Sequence, residues 1–448
     1  MKGKHLFSNR DLRILLVPVI VEQFLNSLMG TADSIMVSNV GSAAISAVSL
    51  VDSINVLVIQ AFYALAAGGA IICSHYLGQE NRKEAVETAR QLVFIIAAIS
   101  TVVTAVCLVF QVPLLRLIFG QVEESVMTAS QTYFFYTSLS FPFIALYDAG
   151  SSVFRSQEDT RTPMVIAMIS NCMNIVGNAI LIWGFHMGVA GAAIATLGSR
   201  IFSAVVVLWM LKDPDRKVYI NQYLTIRPSL RRIRMILHMG VPSGIENGMF
   251  QFGKLAIQST VSTLGTVAIA AQAMTNILEN LNGIAAMGVG IGLMTVVGEC
   301  IGAGREDEAI YYIKKLSGIA EVILIVSCLV TLLLTRPITI LGGMEPESAD
   351  LCFSMMVWIT IVKPIVWTGS FIPGYGLRAA GDVKFSMILS CLSMWILRVS
   401  LCVFLCRYLG FGPMGVWIGM FADWTVRAIG FTVRFMHRKW LNHRVIQP

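Results

Sequence analysis

The chain is written twice. At an offset of 224 residues Pro18 falls on Pro242, Glu22 on Glu246, Gly41 on Gly265, Ile45 on Ile269 and Ala47 on Ala271. Further on, Gly78 falls on Gly302, Glu84 on Glu308 and Ala85 on Ala309. The register holds without a gap from Val17 to Ala85, longer than chance matches among common apolar residues would last. In a chain of 448 residues this offset makes two equal halves. Each half must therefore build the same substructure, a constraint on the fold that precedes any local pattern. Weaker echoes follow. Arg155, Asp159 and Arg161 return as Arg378, Asp382 and Lys384, while Met187, Gly188, Val189 and Arg200 return as Met414, Gly415, Val416 and Arg427. These sets close turns or open helices beside a small residue, and they read as structural.

What is duplicated is a membrane bundle. Hydrophobic residues make up 56% of the chain and charged residues only 13%, whereas a soluble domain carries about 25% charged residues. A spanning helix needs about 20 mostly apolar residues. Twelve stretches qualify, near 12–37, 45–76, 91–112, 127–154, 162–184, 188–211, 236–260, 266–300, 316–335, 351–377, 386–409 and 413–436. The expected fold is all-α and integral to the membrane, with a first six-helix lobe over 1–211, a polar linker over 212–235 and a second lobe over 236–448. The nine cysteines lie scattered through apolar stretches without CxxC or Cys/His spacing, and read as small packing residues. No cleavable signal is expected, because Lys2, Lys4 and Arg10 lead straight into a long apolar segment.

Lysine and arginine fix the expected orientation. They crowd the N-terminus, the linker, the C-terminus and the loops after even-numbered segments, whereas the opposite loops hold only Arg116, Arg336 and Arg407. By the positive-inside rule both termini and the linker are cytoplasmic. Six crossings per half return the chain to the same side, so the repeats are parallel. The net charge of +7 follows from this topology and calls for no nucleic-acid partner.

Ionisable groups within the spans cost about 2.5–3.5 kcal/mol each on insertion scales, so each is a functional candidate. Glu22, Asn26, Met29 and Asp33 fall on one helical stripe of segment one. Asn174 and Asn178 in segment five and Thr196 in segment six reach the depth of Asp33, by the rise of about 1.5 Å per residue. In the second half Asp33 maps to Ile257 and Asn26 to Phe250, while Glu246 repeats Glu22 four residues after a proline. Segment eight carries Asn276, Glu279 and Asn282, with Asp52 and Asn55 at the mapped places of the first two. Lys363 lies at mid-depth and requires Glu279 or Glu246 as a partner. Asp423 and Arg427, four apart, suit a self-neutralising pair. Asp148 has no assigned role. Gly68, Gly69, Gly288, Gly290 and Gly292 suit close helix approach.

Pro18 and Asp33, the stretch Leu77–Asn81, the stretch Arg155–Pro163 and the stretch Gly188–Thr196, in that order and spacing, resemble the MATE family of multidrug and toxic compound extrusion antiporters. The resemblance covers nearly the whole chain. It implies two lobes around a cleft open alternately to either side, and export of amphipathic, often cationic, organic compounds against inward protons or sodium. Some branches of the family place Asp, Asn, Asp and Thr around a cation site in the first lobe. Asp33, Asn174 and Thr196 match that pattern, and Asn178 stands where it has Asp. One carboxylate fewer favours a proton, with Asp33 the metal ligand if sodium is the coupling ion. Glu246, Glu279, Asn276, Asn282 and Lys363 are the second-lobe candidates. No cofactor beyond the coupling ion is expected, the partners are small organic molecules and the lipid bilayer, and the expected state is a monomer in the cell membrane. A lipid-linked precursor flippase is the alternative, expected to show a basic cleft. An intramembrane enzyme ranks low, because HExxH, GxSxG and paired-aspartate motifs are missing.

Overall fold

Backbone polar groups have no water to bind in lipid, so long apolar runs must close their hydrogen bonds within helices. The computed structural model describes residues 5–446, and among these it contains helices and no strand. Lys2 and Lys4 of the basic N-terminal stretch lie outside the described residues.

The twelve apolar stretches become twelve helical rods. In the first half these are α1 (Asn9–Ser38), α2 (Ser42–Gly78), α3 (Arg82–Val109), α4 in two pieces (Glu124–Leu139 and Phe141–Ser156), α5 (Arg161–Gly184) and α6 (Val189–Met210). In the second half they are α7 (Leu230–Val261), α8 (Thr266–Gly302), α9 (Glu306–Leu341), α10 (Pro346–Ala379), α11 (Val383–Tyr408) and α12 (Met414–Met436). Nine of the twelve are long and apolar enough to cross a membrane on composition alone. The other three depart for visible reasons. Rod α4 is interrupted at Ser140, α7 carries Arg231, Arg232, Arg234, Glu246 and Lys254, and α12 carries Asp423, Arg427 and Arg434. Leu117 and Leu333 are 83% and 77% exposed, the apolar outer surface that a bilayer covers.

Both halves repeat one packing scheme. In the first, α2 lies against α3 and α4, α4 against α3 and α6, and α5 against α6. In the second, α8 lies against α9 and α10, α10 against α9 and α12, and α11 against α12. Gly41 and Gly265, repeat partners that begin α2 and α8, both take positive φ, 144° and 97°, where a side chain would be strained.

The chain folds as two compact units, one of residues Arg13–Gly244, the other running from Ile245 onward and including the stretch that ends at Leu12. Residues 212–235 are bound along the first unit. Arg82 donates to the carbonyls of Pro214, Arg216 and Lys217, and Arg216 pairs with Asp159 at 2.6 Å and Arg232 with Glu84 at 2.9 Å. In the second unit the repeat partners of those acids are engaged in the same way. Asp382 pairs with Arg434 at 2.8 Å, and Glu308 accepts from the Leu6 backbone at 3.0 Å. The Tyr312 hydroxyl, 2.6 Å from the Phe7 carbonyl, secures the same N-terminal stretch.

One close approach is built on glycine. A Cβ at Gly68 of α2 would stand 2.7 Å from the Gly240 backbone nitrogen and 2.8 Å from its Cα. Backbone cannot yield as a side-chain tip can. Gly68→Ala is expected to lower stability by about 1–3 kcal/mol, the usual cost of overpacking, seen as an earlier loss of monodisperse protein on heating. Gly244→Ala, with open space around it, is the control.

Candidate functional site

Asn174 and Asn178 are one helical turn apart on α5, so both amides face the same neighbours. The Asn178 amide donates to Asp33 Oδ1 of α1 at 2.5 Å and to Asn174 Oδ1 at 3.1 Å. Asn174 in turn donates to Thr196 Oγ1 of α6 at 3.3 Å. Both asparagines are fully buried and Thr196 is buried, whereas Asp33 keeps partial access. The four residues singled out at one depth therefore form one chain of hydrogen bonds ending on a carboxylate. Immediately after Asn178 the helix widens into a π-turn over Ala179–Gly184, a distortion that often marks functional positions in helices. The side-chain oxygen of Asn178 is buried without a hydrogen-bond partner among the described residues. An open acceptor beside a carboxylate can take a proton-bearing group or a small hard cation.

A second acid stands nearby. Asp52 of α2 accepts from the Tyr133 hydroxyl at 3.1 Å and from Asn55 at 3.3 Å. Asp52 and Arg200 lie within electrostatic reach of Asp33, and Arg200 donates to Ser140 Oγ, at the break in α4, at 2.6 Å. The Asp52–Tyr133 contact was not anticipated from sequence, because it joins residues 81 positions apart on helices with no shared pattern.

Not every residue of the α1 stripe joins this set. Asn26 is exposed, and its side chain makes no hydrogen bond among the described residues. Glu22 is 2% exposed and pairs with Arg155 at 3.2 Å, with the Tyr147 hydroxyl 3.3 Å away. The second half repeats the bridge. Glu246 pairs with Arg378 at 3.2 Å, and Ser386 Oγ donates to Glu246 Oε2 at 3.2 Å. Both duplicated glutamates thus engage the duplicated arginines and stand apart from Asp33. The arginines looked like turn residues in the sequence. The signal that could have paired them was their shared duplication with the glutamates. Asp148 is buried near Arg155 and Glu22, and its Oδ2 has no hydrogen-bond partner among the described residues.

In the second half Lys363 is 1% exposed and meets Glu279 Oε1 at 2.7 Å, Asn282 Oδ1 at 2.5 Å and the Glu279 carbonyl at 3.0 Å. All three ammonium protons find an acceptor, which is what burying an ammonium demands. Asn276 stays outside this cluster, accepting instead from Gln272 at 3.3 Å. Lys363→Met is expected to cost about 1–3 kcal/mol by stranding the Glu279 carboxylate. Adding Glu279→Gln should recover most of that loss in thermal unfolding of the purified protein. Equal melting of both variants would mean that the pair contributes nothing.

Asp423 is not a self-neutralising partner of Arg427 alone. It lies 3.8 Å from Arg427 Nε and 3.7 Å from Arg398, and takes its close hydrogen bond from Ser393. Arg398 is a second buried cation absent from the sequence reading. Lys254 of α7, which is exposed, was overlooked as well; its ammonium lies 4.8 Å from the centre of the Phe250 ring. Among the described residues, no three His, Cys, Asp or Glu side chains gather as a metal site. A cation at Asp33 would therefore rest on one carboxylate and neutral oxygens.

Comparison with known proteins agrees with this architecture. The MatE family model matches residues 18–180 and again 242–404, two matches set 224 residues apart like the internal repeat. The chain is 27% identical over 447 residues to the uncharacterized transporter YisQ of Bacillus subtilis, covering 96% of this chain and 93% of that one. It is 25% identical over 444 residues to the probable multidrug resistance protein NorM of Thermotoga maritima, covering 98% and 94%. Among solved structures, an outward-facing multidrug resistance MATE family transporter of the MOP superfamily superposes with a TM-score of 0.90 at 20% identity, over 96% of each chain. A MATE in the straight conformation gives 0.89 at 21%, over 97% and 96%. These structural likenesses carry the fold; the doubled family match over most of the sequence carries the kinship. The chain belongs to the MATE family of multi-pass membrane transporters.

Proposed function

We propose that this protein is a secondary active antiporter that exports amphipathic or cationic organic compounds in exchange for inward-moving protons or sodium ions. The observation that supports it is the carboxylate of Asp33, partly accessible and held by the buried Asn178–Asn174–Thr196 chain. Such a carboxylate binds one cation at a time, so a coupling ion and a cationic substrate displace one another, and two lobes opening alternately turn that competition into exchange. Full-length relatives bearing the name of probable multidrug resistance proteins favour export over a lipid-linked precursor flippase. The protein acts as a monomer in the cell membrane with both termini in the cytoplasm, the side on which the basic loops gather.

The test is transport of a cationic dye in proteoliposomes under separately imposed pH and sodium gradients. Uptake driven by either gradient supports the reading; dye movement indifferent to both would overturn it. A single carboxylate favours the proton, so the pH gradient is expected to drive the larger flux. Asn178→Asp, which adds a second carboxylate beside the first, is expected to move the preference towards sodium.

A further inference from the structure

The repeat places unlike chemistry at like positions. At the 224-residue offset Asn174 corresponds to Arg398, Gly30 to Lys254 and Asn26 to Phe250, and Asp33 to an apolar isoleucine. At the offset that carries Arg200 onto Arg427, Thr196 corresponds to Asp423. The hydrogen-bonded acid of the first half is therefore replaced by a group of cations. Arg398 sits in a second π-turn, Ser393–Val399, for which α5 has no equivalent at that level.

The charges in this region do not balance. Lys254, Lys363, Arg398 and Arg427 face Glu279 and Asp423. Lys363 takes Glu279, which leaves Asp423 shared between two arginines at 3.7 and 3.8 Å, beyond hydrogen-bond length. Lys254 forms no ion pair among the described residues. Arg398 and Arg427 are each 3% exposed, yet Arg398 Nε, Arg427 Nε and one terminal nitrogen of Arg427 have no hydrogen-bond partner among the described residues. A buried guanidinium with unused donors is costly, and this cluster holds two that share a single carboxylate. Aromatic faces flank them. Lys254 and Arg398 lie 4.8 and 5.1 Å from the centre of the same Phe250 ring, and Arg427 lies 4.8 Å from that of Phe371. Lys254 is exposed, and Phe250 and Phe371 are half-buried, so the aromatic side has an approach.

We propose that the second half holds an anion site, formed by Lys254, Arg398 and Arg427 over Phe250 and Phe371, which takes an oxyanion carried on an apolar body. Guanidinium donors match a carboxylate or phosphate in forked geometry, and the two rings accept the apolar part. A polyanion is disfavoured, because Asp423 already offsets one of the cations. The acidic set around Asp33 and this basic set would give one chain two binding positions of opposite sign. The anion site stands whether or not Asp33 carries the coupling ion.

The experiment uses the full-length protein in phosphatidylcholine nanodiscs and two probes of one shape, 2-naphthoate and the neutral 2-naphthamide. Naphthoate is expected to bind about tenfold tighter, the size of one charge-assisted hydrogen bond, and to lose that margin in Lys254→Gln and Arg427→Gln. Lys254 is accessible and unpaired, so its variant reports even if Arg427→Gln does not fold. Nanodiscs containing phosphatidylglycerol separate the two sources of such an anion. Competition that disappears in Lys254→Gln assigns the site to a lipid headgroup, and its absence assigns it to soluble amphiphiles. Equal affinity for the acid and the amide, or unchanged naphthoate binding in Lys254→Gln, would overturn the proposal.

Discussion

An Asp33→Asn protein is expected to reach the membrane in wild-type amounts and to lose gradient-driven dye efflux down to the level of cells without the transporter. Asparagine matches aspartate in size and still offers an oxygen to the Asn178 amide, which now contacts Asp33 Oδ1 at 2.5 Å. What it lacks is a group that can exchange a proton or hold a cation. The packing is untouched, because the partners Asn174, Asn178 and Thr196 keep their own bonds. The measurement is efflux of a cationic dye from cells with matched expression, alongside dye counterflow without an ion gradient. Efflux should vanish while counterflow partly survives. Wild-type efflux from this variant would move the coupling to the second half, where Glu246 and Glu279 are next in line.

Arg155→Met is expected to have the largest effect on stability. Arg155 and Glu22 are both buried, with side-chain exposures of 9% and 3%, and their charged atoms stand 3.2 Å apart. Removing one member of such a pair costs about 3–5 kcal/mol, mostly by leaving the other charge buried without compensation. Glu22→Gln keeps a hydrogen-bond acceptor for Arg155 and for the Tyr147 hydroxyl, so it should cost less. The double variant Glu22→Gln with Arg155→Met should recover most of the loss. Thermal unfolding of the purified protein distinguishes these cases. Additive losses in the double variant would show that the two residues do not act as a pair. Arg378→Met tests the repeat of the bridge and should fall short of Arg155→Met, because Arg378 is more exposed, at 17%.

The helices were legible because a bilayer leaves the backbone one solution and because the chain states that solution twice. The partner of Lys363 was legible for an energetic reason, since a buried ammonium admits few neighbours. The partners of Glu22 and Glu246 were not. Arg155 and Arg378 stand at the ends of helices, where a cation ordinarily reaches solvent, and only tertiary packing turns them inward. Asn26 looked like a member of the Asp33 set by spacing, but spacing fixes a direction around the helix and not what lies in that direction. The π-turns were not legible, because the hydrophobic pattern places apolar residues on a face without fixing the hydrogen-bond spacing inside the helix. Arg398 could have been found by carrying the repeat to its end, where it falls opposite Asn174. The break in α4 at Ser140 did have a signal, Pro142 in the first turn of the second piece, which the apolar count passed over.

The fastening of residues 212–235 to the first unit bears on the order of synthesis. The first half is still without its Arg232–Glu84 and Arg216–Asp159 clasps when α6 has emerged, and it closes only once the ribosome has passed the beginning of α7. The N-terminal stretch waits far longer, since the acceptor of the Leu6 amide lies 302 residues downstream. A nascent chain would therefore keep its first residues free through most of translation, and fasten them after α9 begins. The same timing tells where the gene can be divided. A fragment ending at Gly244 carries its own clasps into the membrane, whereas one ending at residue 211 leaves Glu84 and Asp159 without their arginines.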